Sequence, residues 1–309
     1  TGSGDQGRAA PEAGRYVLTD LISSHEPSEH YESFEQYPTE LWRGQDLALE
    51  RPISVRLIRN DDARFSAVLQ AARSAAVVDD RRLLRVLDIL EIPGTAENPT
   101  RTAIVSEWSS GQNLAERLQD DEFFDFSEAV AEIADLARVL NLCHQAGVMH
   151  GRLRPSAVIW SDGGEARLRG LAIDHVLFGP IDPATSNPDI DGLGCLLYAM
   201  VTGRWPALQI DANSVHIPLA PATGKSVPLP SRVRAGVPGE IDDLVSRSVR
   251  QVARARGTMP LTSIESFAAT AGLASDRLSP VATNRIPSVA ERRSEEHTSE
   301  LQSPDHLVC

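Results

Sequence analysis

The sequence predicts an α+β fold with two lobes, strand-rich at the start and helical afterwards. The first third holds short apolar runs such as YVLTDLI at 16–22 and ISVRLI at 53–58, which are typical of β-strands. After Gly111 the apolar residues recur at helical spacing over longer segments. A change of class along the chain indicates two lobes, and 309 residues are enough for both lobes and one cleft between them.

The first lobe is predicted to span 15–107. Residues 1–14 precede it and are rich in Gly, Ala and charge, so we expect a flexible linker there. The Ala-rich segment 62–78 has helical spacing, with an Asp pair at its start. The apolar runs 82–92 and 101–108, separated by a Pro/Gly/Asn turn, predict two further strands.

The second lobe is predicted to span 108–273. Its longest helix begins near Ser127 and stops at Gly147, the residue type that commonly ends a helix. From 274 to 292 the chain turns polar and contains two prolines, which predicts a linker. The segment 293–309 resembles the translation of a sequencing-library adapter, and we exclude it from functional reasoning.

Composition restricts the classes of function. A formal net charge of −13 argues against nucleic acid as a partner, because phosphate binding needs an excess of Lys and Arg. The three cysteines, Cys143, Cys195 and Cys309, lack metal-ligand spacing, so we expect them to be structural or incidental. No metal and no cofactor are expected in the chain. No apolar run is long enough to cross a bilayer. The chain begins with Thr1, and we expect it to be a piece of a longer protein.

Three segments carry a resemblance to bacterial Ser/Thr protein kinases. GVMHGRLRPSAVIW at 147–160 resembles the kinase catalytic loop, H-R-D-L-x-x-x-N. DIDGLGCLLYAMVTG at 189–203 resembles the buried helix of the kinase C-lobe, and 68–88 is similar to the regulatory helix and the strand after it. The segments occur in kinase order, and the resemblance covers most of 15–272. It implies the two-lobed protein-kinase-like fold.

Positions that an active kinase uses in the first lobe are replaced. Where the resemblance places a Gly-rich phosphate loop, the sequence SSHEPSEHYESF at 23–34 has no glycine. Arg56 occupies the position of the lysine in V-A-I-K, and Arg lacks the compact point charge of Lys. The glutamate that pairs with that lysine in kinases corresponds to Ala71, which cannot form the ion pair.

The catalytic loop is altered in the same way. The position of the catalytic Asp holds Arg152, and a guanidinium cannot act as a general base. Arg154 stands at the loop lysine, and Ala157 replaces the metal-binding Asn. His150 is in register with the histidine of the motif, for which the resemblance implies a structural role. Arg152 and Arg154 either form an anion site or pair with nearby carboxylates, and the second reading is favoured.

The metal-binding D-F-G motif corresponds to Gly170, Leu171 and Ala172, so the second metal ligand is also missing. No A-P-E sequence occurs between Ile173 and Asp189, which predicts a truncated activation segment. Asp189 is expected to be structural, capping the buried helix and bracing the catalytic-loop backbone. Leu193, Leu196 and Leu197 are expected in the core beneath it. The sequence thus predicts a pseudokinase, not an enzyme.

The combination of HGRLRP, ISVRLI and GLA resembles the intracellular pseudokinase domain of actinobacterial MviN/MurJ-type lipid II flippases. That resemblance implies a flippase membrane domain in cis, a location at the inner face of the plasma membrane, and phosphorylation in trans by a Ser/Thr kinase. It also implies recruitment of a forkhead-associated (FHA) domain protein, for which Thr283 in a Thr-x-x-Ile segment is the candidate site. Two alternatives stay open, a degraded kinase with residual ATP binding and a scaffold of another membrane protein.

Overall fold

The computed structural model describes residues 12–25, 37–96, 98–119, 123–208, 210, 215–222, 224–254 and 257–279. Six strands of the first lobe form one antiparallel sheet in the order β1-β2-β3-β4-β6-β5. Their bounds are Glu12–Ala13 (β1), Tyr16–His25 (β2), Thr39–Asp46 (β3), Arg51–Arg59 (β4), Val86–Ile92 (β5) and Arg101–Glu107 (β6).

Strand β4 lies in the interior of this sheet, between β3 and β6, and apolar layers cover both of its faces. Ile53, Val55 and Leu57 pack with Trp42 on one side. On the other side Ile58 packs against helix α1, Phe65–Ala76. A strand that is buried on both faces reads as a continuous apolar run, as ISVRLI does. The charged member of that run, Arg56, is therefore also buried.

The second lobe is helical apart from one short hairpin. The hairpin pairs β7, Val158–Trp160, with β8, Ala166–Leu168. The helices are Leu114–Gln119 (α2), Phe126–Gln145 (α3), Ile173–Phe178 (α4), Pro188–Thr202 (α5), Pro230–Val233 (α6), Gly239–Ser248 (α7) and Ile264–Leu278 (α8). The predicted α+β architecture with a strand-rich first lobe is confirmed.

Helix α5 is the centre of the second lobe. Leu193, Leu196 and Leu197 are fully buried, as the sequence predicts. Asn187 caps its start by accepting a hydrogen bond from the Ile190 N–H at 3.2 Å. Gly203 ends it in the left-handed region at φ +68, where glycine carries no steric penalty. The helix therefore has apolar contacts on all sides and a defined stop.

Two predicted boundaries differ from the structure. Helix α8 continues to Leu278 and buries Ala274, whereas the sequence placed a linker from residue 274. At the other end, Glu12–Ala13 pairs with β2, although 1–14 was expected to be a flexible linker. The local sequence does not indicate these two ends, because packing against a neighbouring element extends a helix or strand beyond the residues that favour it locally. Thr283 and 293–309 lie outside the described residues.

Within the described residues, no helix has the length and apolar character needed to cross a membrane.

Candidate functional site

The cleft between the lobes gathers most of the predicted site residues. Arg56 comes from β4, Arg152 and Arg154 come from the loop before β7, and Gly170 follows β8. Ala71 lies apart from them on α1. Its side chain is 8% exposed and belongs to the same apolar cluster as Ile173 and Leu177 of α4. The position that would carry a glutamate in a kinase is therefore part of an apolar contact with α4.

A buried aspartate joins two of the arginines. Arg56 Nη2 donates to Asp174 Oδ1 at 3.1 Å, and Arg154 Nη2 donates to Asp174 Oδ2 at 3.2 Å. All three residues are at most 6% exposed. Burial by itself raises the pKa of Asp174, but Arg56, Arg154 and nearby Arg169 outweigh it and hold the pKa at about 2. Asp174 is therefore ionised, and both of its oxygens are engaged by arginines.

Asp174 also accounts for the glycine at position 170, which the sequence resemblance aligns with the first residue of D-F-G. Gly170 has φ +82, and a Cβ added there would lie 2.5 Å from Asp174 Cγ. The carboxylate of Asp174 fills the space into which a side chain at 170 would extend. Asp174 is not among the site residues predicted from the sequence. The sequence feature that could have identified it is its place as a lone acidic residue in the apolar segment AIDHVLF, four positions after Gly170.

Arg152, which the sequence resemblance aligns with the catalytic base of kinases, donates hydrogen bonds to backbone carbonyls. Its Nη1 donates to the carbonyl of Phe178 at 3.0 Å and to that of Gly179 at 2.7 Å. Arg64 of the first lobe donates to the carbonyl of Leu177 at 2.9 Å. Cations near the carbonyls at a helix C-terminus stabilise that helix. Two arginines, one from each lobe, thus fix the end of α4 in the cleft.

The ring of Phe178 completes this arrangement. The guanidinium carbons of Arg56, Arg152 and Arg154 lie 5.6, 5.6 and 5.7 Å from its centroid. These distances are within the range of cation–π attraction. A phenyl ring from the activation-segment position therefore contacts the arginines at three positions that differ from the kinase pattern.

Asp189 braces the backbone of the catalytic-type loop. Its carboxylate accepts hydrogen bonds from the N–H groups of His150 at 2.9 Å and Gly151 at 2.6 Å. Its Oδ2 also lies 2.7 Å from His144 Nε2. His150 Nε2 is 3.0 Å from the Arg169 carbonyl, and burial lowers the pKa of His150. These contacts fit the structural role expected of His150 and the bracing role expected of Asp189. The expected capping role of Asp189 is wrong, because Asn187 caps α5 and Asp189 lies in the first turn of that helix.

The remaining motif positions offer no metal ligand. Ala157 is fully buried, and its carbonyl accepts from the Arg169 N–H at 2.9 Å. Leu171 packs into the main core, and Ala172 precedes α4 with φ +59. Among the described residues, no three His, Cys, Asp or Glu side chains lie together as a metal ion would need. The described free cysteines, Cys143 and Cys195, are buried.

The open space left in the cleft is small. A cavity of about 30 Å³ remains, lined among others by Leu41, Arg56, Ile104, Arg169 and Gly170. A single water needs roughly 10–15 Å³ of such volume, so the cavity holds about two waters. A metal ion of the kind that the kinase fold suggests would find no side-chain oxygen at Ala157, and both oxygens of Asp174 are held by arginines.

The chain is similar in sequence to bacterial Ser/Thr protein kinases. The chain is 25% identical over 240 residues to the Ser/Thr protein kinase PknB of Mycolicibacterium smegmatis, covering 68% of this chain and 37% of that kinase. It is also 25% identical over 237 residues to PknL of Mycobacterium bovis, covering 67% of this chain and 56% of PknL. The chain thus matches well under two thirds of either relative. No family model matches it.

Solved structures show the same fold. The crystal structure of the PknI kinase domain of Mycobacterium tuberculosis superposes with a TM-score of 0.59 at 18% identity. The match covers 86% of this chain and 99% of that structure. The sequence similarity and the shared two-lobed fold lead to one conclusion: the chain contains a bacterial Ser/Thr protein-kinase-like domain.

Proposed function

We propose that this domain is a pseudokinase, which acts as a regulatory scaffold and does not transfer phosphate. The observation that carries the proposal is the Arg56–Asp174–Arg154 cluster, which occupies the cleft where the fold would place nucleotide phosphates and metal. The cavity beside it has a volume of about 30 Å³, which is small for a nucleotide.

The chemistry at the base position supports the same proposal. A guanidinium has no lone pair with which to accept the substrate proton at neutral pH. The loss of a positioned base alone costs about 10² to 10⁴ in rate. The loss of both metal ligands removes several kcal/mol of charge stabilisation as well. These losses do not add simply, but together they leave no useful turnover.

The test is a phosphotransfer assay on the purified chain with radiolabelled ATP and Mg²⁺. We expect no phosphorylation of the chain or of a generic substrate. A PknB kinase domain serves as the positive control. Mg²⁺-dependent phosphorylation that disappears in Arg56→Ala, in a protein that retains its folded circular dichroism spectrum, would contradict the proposal.

A degraded kinase with residual ATP binding is the second candidate, and one observation favours it. The carboxylate of Asp174 lies beside Gly170, so a carboxylate is present close to the lost metal-ligand position. Its release from Arg56 and Arg154 would make it available to a cation. A thermal-shift assay separates the candidates: a shift with ATP that requires Mg²⁺ supports the second, and equal melting temperatures support the pseudokinase.

The finer proposal concerns regulation. The sequence resemblance to the pseudokinase domain of MviN/MurJ-type proteins supports phosphorylation in trans by a Ser/Thr kinase, recruitment of an FHA-domain protein and control of lipid II export. Thr283 is the candidate site and lies outside the described residues. Phosphorylation would add about −1.5 to −2 charges and three acceptor oxygens there, which arginines of an FHA domain can bind.

Binding of an FHA domain to kinase-treated chain tests this scheme. We expect treated wild type to bind, and treated Thr283→Ala to lose most of that affinity. Equal affinity for both proteins would remove Thr283 from the mechanism, and no binding to either would remove the FHA partner. In that case a scaffold of another membrane protein is favoured, and the DNA upstream of Thr1 would test whether membrane-spanning segments are encoded there.

A further inference from the structure

The cleft contains more buried positive charge than negative charge. Arg56, Arg154 and Arg169 surround Asp174, which gives three positive charges against one. Glu116 of α2 offsets part of the excess at Arg169. Burial, opposed by Asp174 and reinforced by neighbouring arginines, lowers the pKa of Arg56 and lowers that of Arg169 to about 10. Uncompensated charge in a protein interior is costly.

Two of these arginines also have an unused donor. Arg56 Nη1 and Arg169 Nε are buried and have no hydrogen-bond partner among the described residues. The Arg56 side chain is only 7% exposed. Leaving a buried charged donor unsatisfied costs about 1–3 kcal/mol or more. The Nη2 group of each side chain is engaged: that of Arg56 donates to Asp174 at 3.1 Å, and that of Arg169 donates to the Ser156 carbonyl at 2.7 Å.

We propose that the cleft binds a small monovalent inorganic anion, of the size of chloride, between Arg56 and Arg169. Both side chains line the cavity of about 30 Å³. An anion there accepts hydrogen bonds from both guanidinium groups and offsets one of the excess positive charges. Water would satisfy the donors but would leave the charge unbalanced, so the charge excess selects an anion.

Size selects among anions. Chloride occupies about the space of one water, and the cavity admits about two waters. A phosphate group or a nucleotide needs several times more. The site therefore differs from a nucleotide site in requiring neither metal nor a sugar or base. The inference goes beyond the proposed pseudokinase function, because phosphotransfer measurements leave it untouched.

The first test measures melting temperature in sodium chloride against sodium gluconate at equal ionic strength. Chloride at about five times its dissociation constant should raise the melting temperature of wild type by about 2 to 4 °C relative to gluconate. Arg169→Gln removes one arm of the site and should abolish this chloride-specific shift. Equal melting temperatures of wild type in the two salts would overturn the proposal.

Arg167→Gln is the matched control. Arg167 lies two residues earlier and binds Glu107 at 2.5 Å and the Leu83 carbonyl at 3.0 Å; its own side chain does not line the cavity. Its replacement should lower stability and retain the chloride-specific shift. Retention of the shift in Arg169→Gln would place the anion elsewhere and overturn the proposal. A larger shift with millimolar pyrophosphate than with chloride would contradict the size argument.

The last measurement locates the anion. A crystal of the chain grown in sodium bromide should give an anomalous peak within about 3.5 Å of Arg56 Nη1 and Arg169 Nε. A peak at this position without a chloride-specific shift in solution would mean binding at crystal concentration only, and would overturn the proposal. This readout does not depend on any variant folding.

Discussion

Arg56 and Asp174 are 118 positions apart in the sequence and form a buried ion pair of 3.1 Å. The pair joins strand β4 of the first lobe to helix α4 of the second lobe. Removal of one partner from a buried pair leaves an unpaired charge in the interior. The closed cleft is therefore part of the folded structure, and its residues affect stability directly.

Asp174→Asn should destabilise the protein strongly. The change leaves Arg56 and Arg154 without their counter-charge, which costs about 3–5 kcal/mol in free energy of unfolding. Urea unfolding measures the loss. Asp61→Asn is the control, because Asp61 pairs with Arg59 at the surface and its side chain is 52% exposed; we expect a much smaller loss there, since solvent screens exposed ion pairs. Similar small losses for both variants would mean that the buried pair is not formed in solution.

Gly170→Ala should destabilise more than Gly164→Ala. Both glycines have nearly the same positive φ, +82 and +80, but only Gly170 has a neighbour in the way, with Asp174 Cγ 2.5 Å from an added Cβ. The conformational cost is about 1 kcal/mol at either position. The steric cost falls on Gly170 alone and should add about 1–3 kcal/mol. Equal losses in thermal unfolding would show that Asp174 does not occupy this space.

Leu196→Ala should cost about 2–5 kcal/mol in free energy of unfolding. Leu196 is fully buried in α5, so truncation leaves a cavity in the main core. Leu273→Ala is the matched change in another helix, where the residue is 60% exposed, and should stay within about 0.5 kcal/mol. Chemical denaturation of both variants decides the point, and a small loss at Leu196 would place the core elsewhere.

The raised pKa of Asp191 predicts a specific pH dependence of stability. Burial raises its pKa to about 6, although the Arg250 N–H at 2.9 Å opposes the rise. The unfolded value is near 3.9, so between about pH 4 and 6 the folded state holds more protons and stability falls as pH rises.

Asp191→Asn removes that fall. As the pH rises from 4 to 6, the free energy of unfolding of the variant should increase relative to that of wild type by about 1 to 2 kcal/mol. This is less than the pKa difference alone would give, because Asp191 keeps some solvent contact. Exposed Asp276 provides the control, and Asp276→Asn should keep the wild-type slope. Parallel pH profiles of wild type and Asp191→Asn in urea unfolding would contradict the prediction.

The sequence by itself determined the two-lobed α+β fold. Strand and helix periodicities are local properties, and ISVRLI and the α5 segment carry them clearly. The prediction that Arg152, Ala157 and Gly170 stand at kinase motif positions also rests on the sequence alone, because it depends only on which atoms a side chain has. The ends of α8 and β1 were less clear, since packing against neighbouring elements extends them beyond their local signal.

Only the tertiary structure decided what fills the cleft. Asp174 belongs to a six-residue helix, and its sequence neighbours give no sign that its partners are Arg56 and Arg154. Phe178 likewise meets three arginines from distant segments. Ion pairs and ring contacts of this kind depend on which elements pack together, and local spacing does not encode that. The residue types at the site came from the sequence, and their partners came from the fold.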